Sequence, residues 1–124
     1  MTQVAGEWQL EVDRGPDWLF VRLHPPIDSD MEPDLAGAVW DLLEKHFTYR
    51  VVLEMHDVDQ LSSHLIGQLI LLQKRVHQHG GVLRLCGLCE HAIESLHLCR
   101  LDGGLPNYRD REEAVLGPRM VRAK

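Results

Sequence analysis

Apolar and polar residues alternate at the start of the chain and then recur at helical spacing. Trp8, Leu10 and Val12 are separated by polar residues, which is the two-residue period of a strand with one buried face. The string "RGPD" then predicts a turn, and "WLFVRL" at residues 18–23 predicts a second strand. Because the connection is short, the two strands are expected to form a hairpin.

A helix is predicted after the proline-containing string "HPPIDSDMEPD" at residues 24–34. Its prolines cannot donate to a strand ladder, whereas Asp30 is suited to cap a helix and Pro33 is tolerated in a first turn. Apolar residues then recur on one helical face. They are Leu35, Val39, Leu42 and Leu43.

The middle of the chain combines a short apolar run with a long amphipathic segment. "RVVLEM" at residues 50–55 is rich in β-branched residues, which predicts a central strand buried on both faces. The following helix is expected to end at "HGG", where Gly80 can adopt a left-handed conformation. Its predicted inner stripe is Leu65, Leu69, Leu72 and Val76, with Ile66 and Ile70 beside it.

The last third of the chain predicts four shorter elements. "VLRLC" reads as a strand, "EHAIESLHLC" as a helix with Ile93, Leu96 and Cys99 facing inward, residues 105–108 as a short strand, and "DREEAV" as a capped helix. The order of elements predicts an α/β fold, with a mixed sheet of about four to five strands packed with four helices. One domain over residues 1–117 and a short tail over 118–124 are expected.

Composition narrows the classes of function. The formal net charge of −6 argues against a nucleic-acid binder, and the basic C-terminal string "GPRMVRAK" is expected to be a solvated tail. The N-terminus does not resemble a secretory signal, and no apolar run is long enough to span a bilayer. We therefore expect a cytoplasmic protein whose three cysteines are reduced thiols.

Two adjacent serines stand where the central strand gives way to the long helix. One of Ser62 and Ser63 is expected to be a helix N-cap, which is worth about 1 kcal/mol. The same position suits a phosphate, because a helix N-terminus presents free amide groups and the positive end of the helix dipole. A phosphate would add about −1.5 to −2 charges to this surface.

Several strings resemble the STAS domain, the family named for sulphate transporters and anti-sigma factor antagonists. "VVLEMHDVDQLSSHLIGQLILLQKRVHQHGGVLRLCGL" resembles its central strand, switch loop, long helix, Gly-Gly turn and next strand. "AIESLHLCRLDGGLPNYRDREEAV" resembles its closing elements, and "PPID" resembles the loop that ends in Asp after the second strand. The resemblance covers most of the chain and implies a single STAS-like domain.

The resemblance also implies a function. In anti-sigma factor antagonists of this family, a serine in a "D-S-S-G-L-G" string is phosphorylated by an anti-sigma factor that is also a kinase, and the unmodified antagonist binds that kinase. The acceptor corresponds to Ser63, with Ser62 as the alternate. The implied role is non-enzymatic, with no cofactor or metal and no nucleic-acid or membrane partner. The implied partner-binding residues are Asp28, Asp57, Leu61, Ser62, Ser63, His64 and Gly67.

The switch string departs from the family pattern at three positions. Leu61 replaces an aspartate, and His64 and Ile66 replace glycines. A side chain at His64 restricts the backbone beside the acceptor and fills space that an approaching kinase would use. The alternative is therefore a constitutive interaction module that keeps the docking surface without the phosphorylation. A Ser-His catalytic pair is not indicated, because no third orienting group is identifiable.

The string "CGLC" offers an alternative from the enzyme class. Cys86 and Cys89 lie where a strand gives way to a helix, and a helix N-terminus can lower a thiol pKa, as in thiol oxidoreductases. A metal site would need further ligands from His91, His97 or Cys99. The third interpretation is packing, since a free cysteine behaves as a small hydrophobic residue.

Overall fold

The computed structural model of the chain describes residues 2–5, 8–26, 34–59, 61–98, 105 and 107–116. Strands and helices alternate over most of this length. The elements are β1 (Thr2–Ala5), β2 (Trp8–Arg14), β3 (Leu19–His24), α1 (Leu35–Lys45), β4 (Arg50–Glu54), α2 (Ser63–Gln78), β5 (Val82–Cys86), α3 (Glu90–Leu98), β6 (Asn107–Tyr108) and α4 (Arg111–Leu116).

The strands form one mixed sheet in the order β1-β2-β3-β4-β5-β6. The predicted hairpin is confirmed, since β2 and β3 pair antiparallel with Val12 opposite Val21. From β3 to β6 the neighbouring strands are parallel. The sheet has one strand more than the predicted range, because β1 pairs with β2. Its string "TQVA" is too short to carry a periodic signal, so its pairing with β2 identifies it.

β4 is central, as predicted, and is buried on both faces. Val51 and Leu53 belong to the larger core cluster, which receives side chains from α1, α2 and α3. Val52 points to the opposite face and packs in a smaller cluster that includes Ala114 of α4. Helices therefore cover the sheet on both sides, which explains why the β4 sequence is a continuous apolar run.

Helix α1 begins later than the sequence predicts. Its N-cap is Asp34, whose Oδ1 accepts a hydrogen bond from the Gly37 amide at 3.1 Å. The prediction of Asp30 as the cap was wrong, because α1 begins at Leu35 and an N-cap lies directly before the first helical residue. Gly37 leaves room for this carboxylate, which any larger side chain would meet. The predicted inner face of α1 is confirmed.

Helix α2 buries the face that was predicted, whereas α3 buries a partly different face. The predicted inner residues of α2 are buried, apart from the partly buried Ile70, and Gly80 follows its last turn with φ of 72°. In α3 the buried residues are Ala92 and Leu96, which lie one turn apart. The prediction that Ile93 faces inward was wrong, since 39% of it is exposed. Cys99 lies outside the described residues.

A buried ion pair joins α4 to the sheet. Glu54, which is 3% exposed, accepts hydrogen bonds from Arg111 Nε at 2.7 Å and Nη2 at 2.9 Å. Arg111 Nη1 also donates to Asp13 Oδ2 at 2.6 Å. The hydrogen bonds to Glu54 raise the pKa of the Arg111 guanidinium above its ordinary value. This contact fastens α4 to both β4 and β2.

Candidate functional site

The candidate site lies at the sheet edge where β3, β4 and β5 end. The segment between β4 and α2, residues 55–62, is here called the switch loop. Its backbone is anchored by a hydrogen bond from the Met55 amide to the Cys86 carbonyl at 2.8 Å. Val58 is 3% exposed, and Leu61 is 8% exposed. These apolar anchors hold the loop against the core, and the polar side chains of its described residues, His56, Asp57, Asp59 and Ser62, are exposed.

Two of the three departures from the family string replace a polar or small residue with a large apolar one. Both of these apolar side chains pack into the core. Leu61 and Ile66, at 8% and 9% exposure, both belong to the larger core cluster. Leu61 was predicted to contact a partner; its side chain packs into the core, and the contact itself stays a prediction. The remaining departure, His64, lies half-buried at the start of α2.

The structure separates the roles of the two serines. Ser62 Oγ accepts a hydrogen bond from the Leu65 amide at 3.1 Å, which makes Ser62 the N-cap of α2. Ser63 is the first residue of α2 and is exposed. Within the described ranges, the Ser63 hydroxyl forms no hydrogen bond to another residue. The capping role predicted for one of the pair is thus taken by Ser62.

The exposed face of α2 continues away from the switch loop. Ser63, Gly67 and Leu71 are four residues apart, so they lie on the same side of the helix, and this set is here called the α2 stripe. A Cβ atom at Gly67 would meet no atom within 4 Å, and Leu71 is 56% exposed. Leu71 was not predicted as a site residue. Its signal in the sequence is that it is apolar but lies outside the spacing of the buried stripe of α2.

Asp57 is held by a histidine bridge across three elements. His24 Nδ1 lies 2.9 Å from Asp57 Oδ2, and its Nε2 lies 2.9 Å from Glu11 Oε1. The two ring nitrogens of His24 thus each face one carboxylate. The bridge ties the switch loop to β2 and β3. Asp28, which was predicted to lie near this edge, falls outside the described residues.

His56 is positioned by a glycine of the next loop. Arg22 Nη2 lies 3.3 Å from His56 Nδ1 on one side of the ring. On the other side, Gly87 has φ of 75°, and a Cβ atom there would lie 2.5 Å from His56 Cε1. Gly87 is therefore required both by its backbone conformation and by the packing of this ring.

Substitution of Gly87 is expected to disturb the switch loop. Gly87→Ala should lower the free energy of unfolding by about 2–3 kcal/mol, from backbone strain and from the clash with His56. Gly80→Ala is the matched control, because Gly80 has a similar φ of 72° with nothing within 4 Å, so only the strain of about 1 kcal/mol applies. Urea denaturation measures both. Equal losses for the two variants would contradict the role of His56, and adding His56→Ala should restore part of the Gly87→Ala loss.

The surroundings of Cys86 and Cys89 support packing over redox chemistry. Both thiols are free, and Cys86 is fully buried in the cluster beneath α4. Burial raises the pKa of the Cys86 thiol to about 12, whereas a redox nucleophile requires a lowered pKa. The Cys89 thiol is exposed and donates to the Asp59 carbonyl at 3.2 Å.

Within the described ranges, no group of three or more His, Cys, Asp or Glu side chains is arranged to hold a metal ion. In the same part of the chain, no helix has both the length and the apolar character needed to cross a membrane.

Comparison with known proteins agrees with this architecture. The sequence profile of the STAS domain matches residues 7–114. An anti-sigma factor antagonist from Mycobacterium paratuberculosis has a TM-score of 0.73 and 18% identity, over 91% of this chain and 95% of that chain. A Thermotoga maritima protein has a TM-score of 0.70 and 20% identity, over 89% and 94%.

A further similar structure is an anti-sigma-factor antagonist (STAS) domain protein from Planctomyces limnophilus. Its TM-score is 0.60 at 18% identity, over 86% of this chain and 95% of that chain. At such identities the structural likeness concerns the fold, whereas the profile match spans most of the sequence. The chain therefore belongs to the STAS domain family.

Proposed function

We propose that this STAS domain is a non-enzymatic regulator of the anti-sigma factor antagonist type. Its partner is an anti-sigma factor of the kinase type, bound through the exposed part of the switch loop and the α2 stripe. The similar proteins from Mycobacterium paratuberculosis and Planctomyces limnophilus, described as anti-sigma factor antagonists, support this role. The domain needs no cofactor for it.

The observation that carries the proposal is that Ser62 and Ser63 have different structural roles. Ser62 caps α2, which leaves the exposed Ser63 hydroxyl available to a kinase. The first turn of α2 contains no acidic residue, so a phosphate on Ser63 would meet the positive end of the helix dipole without local repulsion. Phosphorylation would therefore leave the fold intact.

The effect of the phosphate would fall on docking. Ser63 shares the α2 stripe with the open position Gly67 and the exposed Leu71. A partner that covers this stripe removes water from it, and burying a phosphate without full compensation costs several kcal/mol, which we take as about 2–5 kcal/mol. Unmodified protein binds, and phosphorylated protein is released.

Phosphopeptide mass spectrometry on protein from the native host is the direct test. Trypsin cuts after Arg50 and Lys74, and the released peptide contains Ser62 and Ser63 as its only hydroxyl side chains. A phosphate on Ser63 is the expected result. A phosphate confined to Ser62 would contradict the assignment, because it would modify the helix cap.

Ser63→Asp is expected to weaken binding to the kinase-type anti-sigma factor by about tenfold, because it places a charge in the covered surface. Ser63→Ala should bind like the wild type in surface plasmon resonance. Gln78→Asp is the matched control, since it adds the same charge at the exposed last residue of α2, far from Ser63, and should bind like the wild type. Equal binding by Ser63→Asp and Ser63→Ala would refute the switch.

The constitutive interaction module is the second candidate. It is favoured by His64, whose half-buried side chain follows Ser63 directly and occupies space at the acceptor. This candidate predicts a partner that binds through the same stripe, with no phosphate on Ser63 under any growth condition. Both candidates place Ser63 in the covered surface and expect Ser63→Asp to weaken binding, so the phosphopeptide analysis of Ser63 is the measurement that distinguishes them.

A further inference from the structure

A second surface feature lies at the opposite edge of the sheet, where β4 and β5 begin. It is an open groove of about 490 Å³ formed by the β2–β3, α1–β4 and α2–β5 connections, here called the basal groove. Its volume falls within the range of small-molecule sites. Its lining includes Arg14, Asp17, Phe47, Tyr49, Arg50 and His79.

Two arginines give the basal groove its charge. Arg14 ends β2 and Arg50 begins β4, with β3 between them, so their backbones are about 10 Å apart. Arg14 lies on the sheet face of Val12 and Arg50 on the face of Val52, so they line the groove from the two sides of the sheet. Among the described residues, neither guanidinium group forms an ion pair. Asp17 is the acidic residue of the lining, so the groove carries net positive charge on a chain of net charge −6. The charge favours an anionic ligand.

Phe47 is displayed in a conformation that phenylalanine rarely adopts. It follows α1 with φ of 53° and is 87% exposed. Its amide and that of Thr48 donate to carbonyls of the last turn of α1, at 3.2 Å and 3.1 Å, a position where glycine is the usual residue. The aromatic ring therefore brings strain without the benefit of burial. Such strain is typical of a residue kept for contact with a ligand.

Two further rings of the groove lining support each other by stacking. The rings of Tyr49 and His79 are stacked, with centroids 5.7 Å apart at 23°. His79 also meets the edge of the buried Trp40 at 4.6 Å. The groove lining thus combines three aromatic or imidazole rings with two arginines.

We propose that the basal groove binds a small organic anion that carries an aromatic ring. The ring contacts Phe47, and the anionic group lies between Arg14 and Arg50. This binding site is independent of the proposed function, because the groove lies at the edge of the sheet opposite the switch loop and shares no residue with the α2 stripe.

The test is a nuclear magnetic resonance titration of ¹⁵N-labelled full-length protein with phenyl phosphate. Saturable shift changes are expected at the amides of residues 47–50 and 79–81. Inorganic phosphate carries only the anionic group and phenol only the aromatic ring, so each should bind at least about tenfold more weakly than phenyl phosphate. Absence of saturable binding by phenyl phosphate would overturn the proposal.

Two variants assign the binding to its residues. Arg50→Gln should weaken phenyl phosphate binding by about tenfold. Phe47→Gly should also weaken it by about tenfold while raising the melting temperature, because glycine adopts the positive φ without strain. Weaker binding together with a higher melting temperature would show that Phe47 contacts the ligand and does not stabilise the fold. Leu98→Ala changes another exposed apolar residue, which lies outside both the groove and the α2 stripe, and is the control that should leave binding unchanged. Unchanged binding by both groove variants would overturn the assignment.

Discussion

Arg111→Met is expected to lower the free energy of unfolding by about 3 kcal/mol, because it leaves a buried carboxylate without its main partner. Glu54 is 3% exposed and receives two hydrogen bonds from Arg111. Arg22 Nε lies 3.7 Å from the same carboxylate and compensates only in part. The Arg111 side chain is 36% exposed, so water already screens this pair to some extent, and a larger loss is not expected.

Urea denaturation measures this loss, with a lower midpoint at an unchanged m-value. Arg109→Met is the matched control, because the Arg109 side chain is 81% exposed and its ion pairs should contribute less than about 1 kcal/mol. The double variant Glu54→Leu with Arg111→Met should recover much of the loss, since no unpaired charge remains buried. A loss under about 1 kcal/mol for Arg111→Met would show that the pair is not a major support of α4.

Gly67→Trp is expected to weaken partner binding by about 30-fold or more, because it places a large ring in the centre of the α2 stripe. The space beside Gly67 is open, so the isolated fold should accept the side chain. Gly67→Ala should raise the free energy of unfolding by about 0.5–1 kcal/mol, since alanine is the better helix former. Thermal melts of both variants check folding, and surface plasmon resonance with the kinase-type anti-sigma factor measures binding.

A control for this effect lies on the same helix. Gln78→Trp adds the same ring at the exposed last residue of α2, far from Ser63, and should leave the affinity unchanged. If Gly67→Trp binds as tightly as the wild type, the α2 stripe is not the docking surface. If both variants lose binding equally, the contact is not centred on Gly67.

The parts of the fold that were predicted correctly are those with strong local patterns. The alternation in β2 and the apolar stripe of α2 each repeat several times within one element. Gly80 is recognisable because few residues tolerate its backbone conformation. The weakly patterned elements were missed or displaced: β1 is too short, and in α3 the small residue Ala92 is buried in place of Ile93.

The candidate site was predicted in part. The serine pair was located from the sequence, but which serine caps α2 depends on the direction of one hydroxyl group toward the Leu65 amide. Leu61 was assigned to the surface by analogy with a polar family residue, whereas an apolar side chain at that point lowers the free energy by entering the core.

The sequence by itself determined the family, the order of elements from β2 to α4 and the position of Ser62 and Ser63, because those features are encoded in residues close together along the chain. The tertiary structure alone decided the contacts that join distant segments. Arg111 meets Glu54 across 57 positions, His24 bridges Glu11 and Asp57, and Arg14 and Arg50 flank one groove. Strand order and register bring these side chains together, and neither is written in any local stretch of sequence.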